Sequence, residues 1–294
     1  MMAQRQTPAG VAADPQRRRW LGLGLGVAAL AASPWFARAQ TPVPQRVVTL
    51  GGSITEIAYA LGQGTRLVAV DSSSLYPPEA DGLPRIGYYR AAPLEGILSL
   101  GPDLVLASEQ AGPADVLQRL QALGVRLERV SDAPELGSLF RRIEQVAQAL
   151  GAQQQGLALA QRVRAELDRA QAQPAPALRA MVLVNRTGAL MAAGEATAAG
   201  ATLALAGLRN VMSGQRGYKP VSPEGMAALQ PELIVVTSAS AEASGGIGAI
   251  RRRAGVALTP AARSDRIVAV DDLLILGLGP RVAEAVAILK QAAG

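Results

Sequence analysis

Short apolar runs alternate with amphipathic stretches along most of this chain. RVVTL (Arg46–Leu50), RLVAV (Arg66–Val70), DLVLA (Asp103–Ala107) and VRLERV (Val125–Val130) each predict a buried strand. Between the first two, Ser53-Ile54-Thr55-Glu56 has the form of a capping box and predicts a helix that runs to Leu61. LEGILSL and GPADVLQRLQAL predict two more helices on either side of DLVLA. From Pro134 to Gln173 the pattern stays helical and breaks only near Gly151. In its second piece Leu157, Ala160, Val163 and Leu167 recur at helical spacing, which predicts that this face is buried. That piece, about 20 residues, would span ~30 Å. PAPALR ends it, and a second series follows: strand MVLVN, helix ATAAGATLALAG, strands ELIVVTS and RIVAV, and helix PRVAEAVAILKQA. Strands alternating with helices predict parallel sheets, here in two α/β lobes with a long helix between them.

One segment occurs twice. GYYRAAPLEGILSLGPDLVLAS (Gly87–Ser108) and GYKPVSPEGMAALQPELIVVTS (Gly217–Ser238) share Gly-Tyr, Glu-Gly, Leu-x-Pro-acid-Leu and a β-branched strand. The Leu-x-Pro-acid-Leu element alone is a common helix-to-strand connection. With Gly-Tyr and Glu-Gly in register, one copy per lobe, it predicts related lobes facing each other across a cleft, where ligands bind.

Composition narrows the chemistry. Arg17-Arg18-Arg19, a short Gly-rich apolar core and Ala37-Arg38-Ala39 form a secretory signal over residues 1–39, and Arg17-Arg18-Arg19-Trp20-Leu21 resembles a twin-arginine signal. That segment carries five arginines against Asp14, or +4 of the chain's +6, so the exported part is nearly balanced at +2 and nucleic acid is not an expected partner. The chain has no cysteine and no histidine. Disulfides, a lipid-bearing cysteine, His or Cys metal ligands and histidine-based catalysis are therefore absent, and a soluble periplasmic protein without a stable membrane anchor is expected. Aromatics make up only 3% of residues, so each tyrosine is a candidate for function.

The motifs GGSITEIAYALG, VDSSSLYPP, LPRIGYYR, EGILSLGPDLVLAS, AAGEATAAGATLALAG and GYKPVSPEG resemble the periplasmic binding proteins of haem importers, within the class that also serves siderophore and cobalamin uptake. The resemblance spans essentially the whole chain after the signal. VDSSSLYPP and GYYR point to the haem branch, whereas the EGxxxLxPDLVL element is shared by all branches. It implies two Rossmann-like α/β lobes, residues 45–150 and 178–294, joined by a single helix over 151–173, with the ligand between them. It further implies a monomeric carrier that delivers its ligand to an ABC permease and is not an enzyme.

Ferric haem needs an apolar slot, cations for its propionates and an axial ligand. With His and Cys absent, a tyrosinate is the natural strong donor to Fe(III) here, and Met or Lys is the weaker option. By the resemblance, Tyr88 matches the family's ligand tyrosine in Gly-Tyr-x-Arg, with Tyr89 as the rival. Arg90 is then expected to hydrogen-bond the phenolate. Tyr218 and Lys219 of the second copy are candidates to support the ligand from the opposite lobe, Lys219 through a propionate. Ser53 is expected to cap its helix and turn backbone N–H groups toward an anion. The resemblance implies that Glu95 and Glu224, each opening a short helix, dock on permease arginines, although acids there also satisfy the helix dipole. A ferric siderophore or cobalamin ligand is the alternative on the same scaffold. A secreted α/β enzyme is remote, because GGIG and GLGP complete no phosphate-binding fingerprint.

Overall fold

The computed structural model of the protein describes residues 42–186 and 189–294. The expected export signal, residues 1–39, lies outside them. In the first half, strands β1 (Val47–Leu50), β2 (Leu67–Val70), β3 (Leu104–Ser108) and β4 (Arg126–Val130) form a parallel sheet in the order β2–β1–β3–β4. Helices α1 (Gly52–Ala60), α2 (Leu94–Leu98), α3 (Ala114–Ala122) and α4 (Leu136–Ala149) accompany it, and α5 (Gln153–Ala172) follows. Every residue of β1 and β3 is buried, as expected of parallel strands covered on both faces.

The second half contains β5 (Arg179–Arg186), β6 (Ala189–Ala193), β7 (Arg209–Asn210), β8 (Tyr218–Pro220), β9 (Leu233–Thr237) and β10 (Ile267–Val270). Its helices are α6 (Ala198–Leu205), α7 (Pro223–Leu229), α8 (Ser238–Ala243), α9 (Ile247–Arg251), α10 (Pro260–Arg263), α11 (Asp272–Leu276) and α12 (Val282–Ala293). The sheet runs β10–β9–β5–β6–β8, with β7 beside β5. Here the structure corrects the expectation of parallel sheets throughout. The β10–β9–β5 part is parallel, but β6 runs antiparallel to β5 and β8 antiparallel to β6. Neither β6 nor β8 is visible in the apolar pattern. ALMAA lacks β-branched residues, and YKP is a three-residue edge strand held by backbone pairing.

Alternate strand residues feed different cores. Leu104 and Leu106 of β3, and Leu233 and Val235 of β9, point into one cluster shared by both halves, together with Ile57, Ile143, Leu159, Val163 and Leu289. Val105 and Ala107 point into a second cluster, and Ile234 and Val236 into a third. The central cluster therefore packs the two sheets against a common layer of helices, α5 among them.

The buried stripe of α5 differs from the predicted one. Gly156, Leu159, Val163, Leu167 and Ala170 are buried, whereas Leu157 is 68% exposed. Gly156 sets this register. A Cβ there would lie 2.5 Å from the Cβ of Ala147, so only glycine allows α5 to approach α4 this closely.

Candidate functional site

A cleft of ≈ 480 Å³ opens beyond the carboxyl ends of the first sheet's strands, where open α/β sheets bind ligands. Gly51–Ser53 after β1, Tyr88–Arg90 and Asp132–Pro134 after β4 line one wall. Ala196–Ala198 at the start of α6, Tyr218 of β8, and Leu273 and Leu276 of α11 line the other. The two repeat copies thus contribute Tyr88 and Tyr218 to the same space. Each tyrosine follows a glycine with positive φ, Gly87 at 92° and Gly217 at 75°, a backbone region that favours glycine.

The tyrosine turn is held by a residue that sequence reasoning passed over. Asp71, fully buried at the end of β2, accepts hydrogen bonds through Oδ1 from Gly51 N (3.0 Å) and Ser74 Oγ (2.9 Å). Its Oδ2 accepts from Ser73 N (3.0 Å), Ser73 Oγ (2.7 Å) and Tyr89 N (3.4 Å). A carboxylate taken out of water needs such donors, and these tie three wall segments together. The only signal in the sequence was an acid opening the DSSS run.

Tyr88 is 40% exposed and its ring meets that of Tyr89 edge-on, with centroids 4.7 Å apart. Tyr89 is half-buried. Desolvation pushes its hydroxyl up to about 12, opposed by a hydrogen bond from Arg90. In this structure Arg90 Nε donates to the Tyr89 hydroxyl at 2.9 Å, not to Tyr88, and Nη2 contacts Gln110. The guanidinium also sits over the Tyr89 ring, 5.3 Å from its centroid. The second adjacent ring offers the arginine a nearer partner than Tyr88 does.

Ser53 lines the cleft but is not a cap. The cap position is Gly51, and no capping box forms, because Glu56 turns into the interior. Ser53 Oγ instead receives a hydrogen bond from Arg142 Nη1 at 2.7 Å. The neighbouring backbone donors are also engaged, Gly51 N by Asp71 and Gly52 N by Ser73 Oγ at 3.1 Å.

Arg142 is the second residue that sequence reasoning missed. It projects from α4 beneath the cleft, 1% exposed, and pairs through Nη2 with Asp132 Oδ1 at 3.0 Å. Nε donates to Ser131 O at 2.6 Å, and Nη1 also reaches Gly277 O (3.2 Å) and Leu278 O (3.4 Å) beyond α11. Burial lowers the arginine's pKa, against the opposing pull of Asp132. Burial likewise raises Asp132, against Arg142 and a 2.6 Å hydrogen bond from Ser108. Among helical positions FRRIEQV, nothing distinguishes Arg142 from Arg141 except that helical phase places it between Leu139, Ile143 and Val146 on the buried face.

The other candidates separate. Lys219 is exposed and lies outside the cleft lining, since successive residues of β8 face opposite ways and Tyr218 takes the inward side. Glu95 and Glu224 are exposed, each in the first turn of its helix, α2 and α7, away from the cleft lining.

Comparison with known proteins adds four findings. The profile of a family described as periplasmic binding protein matches residues 47–273. The structure superimposes on the periplasmic heme-binding protein RhuT from Roseiflexus sp. RS-1 in apo form, with TM-score 0.79 and 41% identity, covering 84% of this chain and 97% of that one. It also superimposes on the periplasmic heme-binding protein BhuT in complex with two hemes, with TM-score 0.78 and 37% identity, covering 84% and 97%. A vitamin B12-binding protein of Pectobacterium atrosepticum is 33% identical over 208 residues, 67% of this chain and 73% of its own length.

Proposed function

The chain belongs to the periplasmic binding protein family, and from that premise we propose that it captures haem in the cleft through a tyrosinate and delivers it to an ABC permease. The family is one of substrate-binding transport proteins and not a class of enzymes. In this reading residues 45–150 and 178–294 are the two lobes, and residues 151–173 are the helix that joins them.

The observation that carries the proposal is the pairing of Tyr88 and Tyr218 across one cleft, in a chain that has no histidine or cysteine to offer iron. Tyr88 is the axial ligand. It is the more exposed of the adjacent pair, and Tyr89 is held as a neutral phenol by burial. When iron ionises Tyr88, Arg90 exchanges its bond to Tyr89 for one to the new phenolate, which charge assistance strengthens. Leu273 and Leu276 meet the apolar face of the macrocycle, and Tyr218 supports it from the second wall. The exported protein is soluble and monomeric. Among the described residues no helix is long and apolar enough to cross a membrane. Glu95 and Glu224 dock on the permease, where exposed charges set orientation and encounter rate more than affinity.

A cobalamin reading is favoured by the vitamin B12-binding relatives, the Pectobacterium protein among them, but a corrin or ferric siderophore needs no tyrosinate. Titration of the mature chain with haemin and, separately, with cyanocobalamin distinguishes the two. A saturable haemin complex with a tyrosinate spectrum that Tyr88→Phe abolishes is expected. Binding of cyanocobalamin with no haemin complex would overturn the proposal.

A further inference from the structure

The face that carries Glu224 is chemically unlike its counterpart in the first half. Glu224 begins α7, which shares a small core with α9, α10 and the turn Val256–Leu258 through Met226, Ile250, Val256 and Ala261. The turn abuts α7 directly, since a Cβ on Gly255 would lie 2.4 Å from Pro223 O. These pieces therefore form one rigid face.

Residues 247–266 on that face hold five arginines and a single acid. Asp265 pairs with Arg251, which leaves Arg252, Arg253, Arg263 and Arg266 with no ion pair among the described residues. At the tip of the turn Leu258 is 62% exposed, and Arg263 Nη1 donates to its carbonyl at 2.8 Å, which holds a guanidinium beside the apolar side chain. By contrast α3, which packs on α2 beside Glu95, carries one aspartate and one arginine.

We propose that the α9–α10 face is a contact surface for anionic phospholipid headgroups of the membrane that houses the permease. A run of like charge is ordinarily just a solvated surface. Here Arg263 stands beside a projecting leucine within an arginine-rich segment, and that combination matches the boundary between headgroups and acyl chains, where arginines meet phosphate and an apolar tip enters the layer. An acidic protein partner is the other reading of the arginines, and the test separates the two. The placement rests on Glu224 as a docking point, because a protein seated there has the arginines beside the bilayer. The attraction acts over about 8 Å at physiological salt, the distance across which unpaired arginines feel a charged surface. Since α3 beside Glu95 carries no such excess of arginine, the patch also distinguishes the two otherwise similar docking helices.

The test is co-sedimentation of the mature chain with vesicles of phosphatidylcholine, with and without phosphatidylglycerol. Binding should require phosphatidylglycerol, weaken with added salt and fall about five-fold for each arginine removed in Arg252→Ser, Arg253→Ser and Arg263→Ser. Leu258→Ser should weaken binding at unchanged charge, while haemin titration stays as in wild type for all four. Glu224→Ala should leave vesicle binding intact, so failure of the docking reading is seen separately, in transport. Indifference of the wild type to phosphatidylglycerol, or full binding by the triple arginine variant, would overturn the proposal. So would arginine variants that impair delivery to a permease held in neutral lipid, since the partner would then be the acidic protein surface.

Discussion

Arg281, at the head of α12, donates from Nε and from its backbone N–H to Glu56 Oε1 of α1, both at 3.2 Å, across 225 residues of sequence. The same guanidinium lies 3.5 Å from the centroid of the Tyr76 ring and 3.5 Å from Asp271 Oδ1. Glu56 is nearly inaccessible, and Gly279 passes so close that a Cβ there would meet its carboxylate at 2.9 Å. With the Arg142 bonds to Gly277 and Leu278, this contact ties the first half to the GLGPR segment of the second. A mainly apolar interface could slide, but directional buried bonds resist sliding, so the opening of the cleft should vary little.

Burial raises Glu56 above its ordinary value of 4.5, with Arg281 opposing the shift. The folded protein therefore takes up this proton more readily than the unfolded chain. The group favours folding most below pH 4.5, and its contribution declines as pH rises from there through the folded pKa. Glu56→Gln should flatten this part of a plot of Tm against pH. An unaltered slope would assign the dependence to Asp132, which burial raises in the same direction.

Arg142→Met should destabilise the protein by roughly 3–5 kcal/mol in urea unfolding, because it leaves the Asp132 carboxylate without its cation. Asp132→Asn in the same chain should recover part of that loss. If the single variant matches wild type, the pair makes no net contribution to the fold.

Tyr89→Phe should retain a tyrosinate haem spectrum and should remove, from an alkaline absorbance titration of the free protein, a phenol that ionises near 12. It also frees Arg90 from its present partner, so haemin affinity should hold or rise. Loss of the tyrosinate spectrum in this variant, with its retention in Tyr88→Phe, would reverse the assignment of the two tyrosines.

Glu95→Ala and Glu224→Ala should each lower haem transport in a reconstituted permease system while haemin binding is unchanged. Both side chains are exposed and outside the cleft, so a parallel loss of haemin binding would make them structural.

Gly156→Ala pits two effects against each other. Alanine favours the helix by up to ~1 kcal/mol, but its methyl would meet Ala147 at 2.5 Å, and overpacking of this kind costs about 1–3 kcal/mol. A lower Tm is expected. A higher one would mean that α4 and α5 can separate without penalty.

The class of the fold, the long helix and the pairing of the two tyrosine turns were legible in the sequence. Each depends on a local signal: an apolar run of strand length, a 3.6-residue period, or a glycine before a tyrosine in both copies. The pattern could not reveal β6 and β8, because an alanine-rich strand and a three-residue edge strand are stabilised by their neighbours' backbone and not by their own side chains. Nor could it reveal that Glu56 abandons a capping box for Arg281, that Arg142 crosses beneath the cleft, or that Arg90 bonds Tyr89. These outcomes depend on which polar groups become buried together, and a buried charge takes whatever partner the packing places within reach. Local sequence determined which elements form and which tyrosines open them. Only the tertiary structure decided which charges face each other once water is excluded.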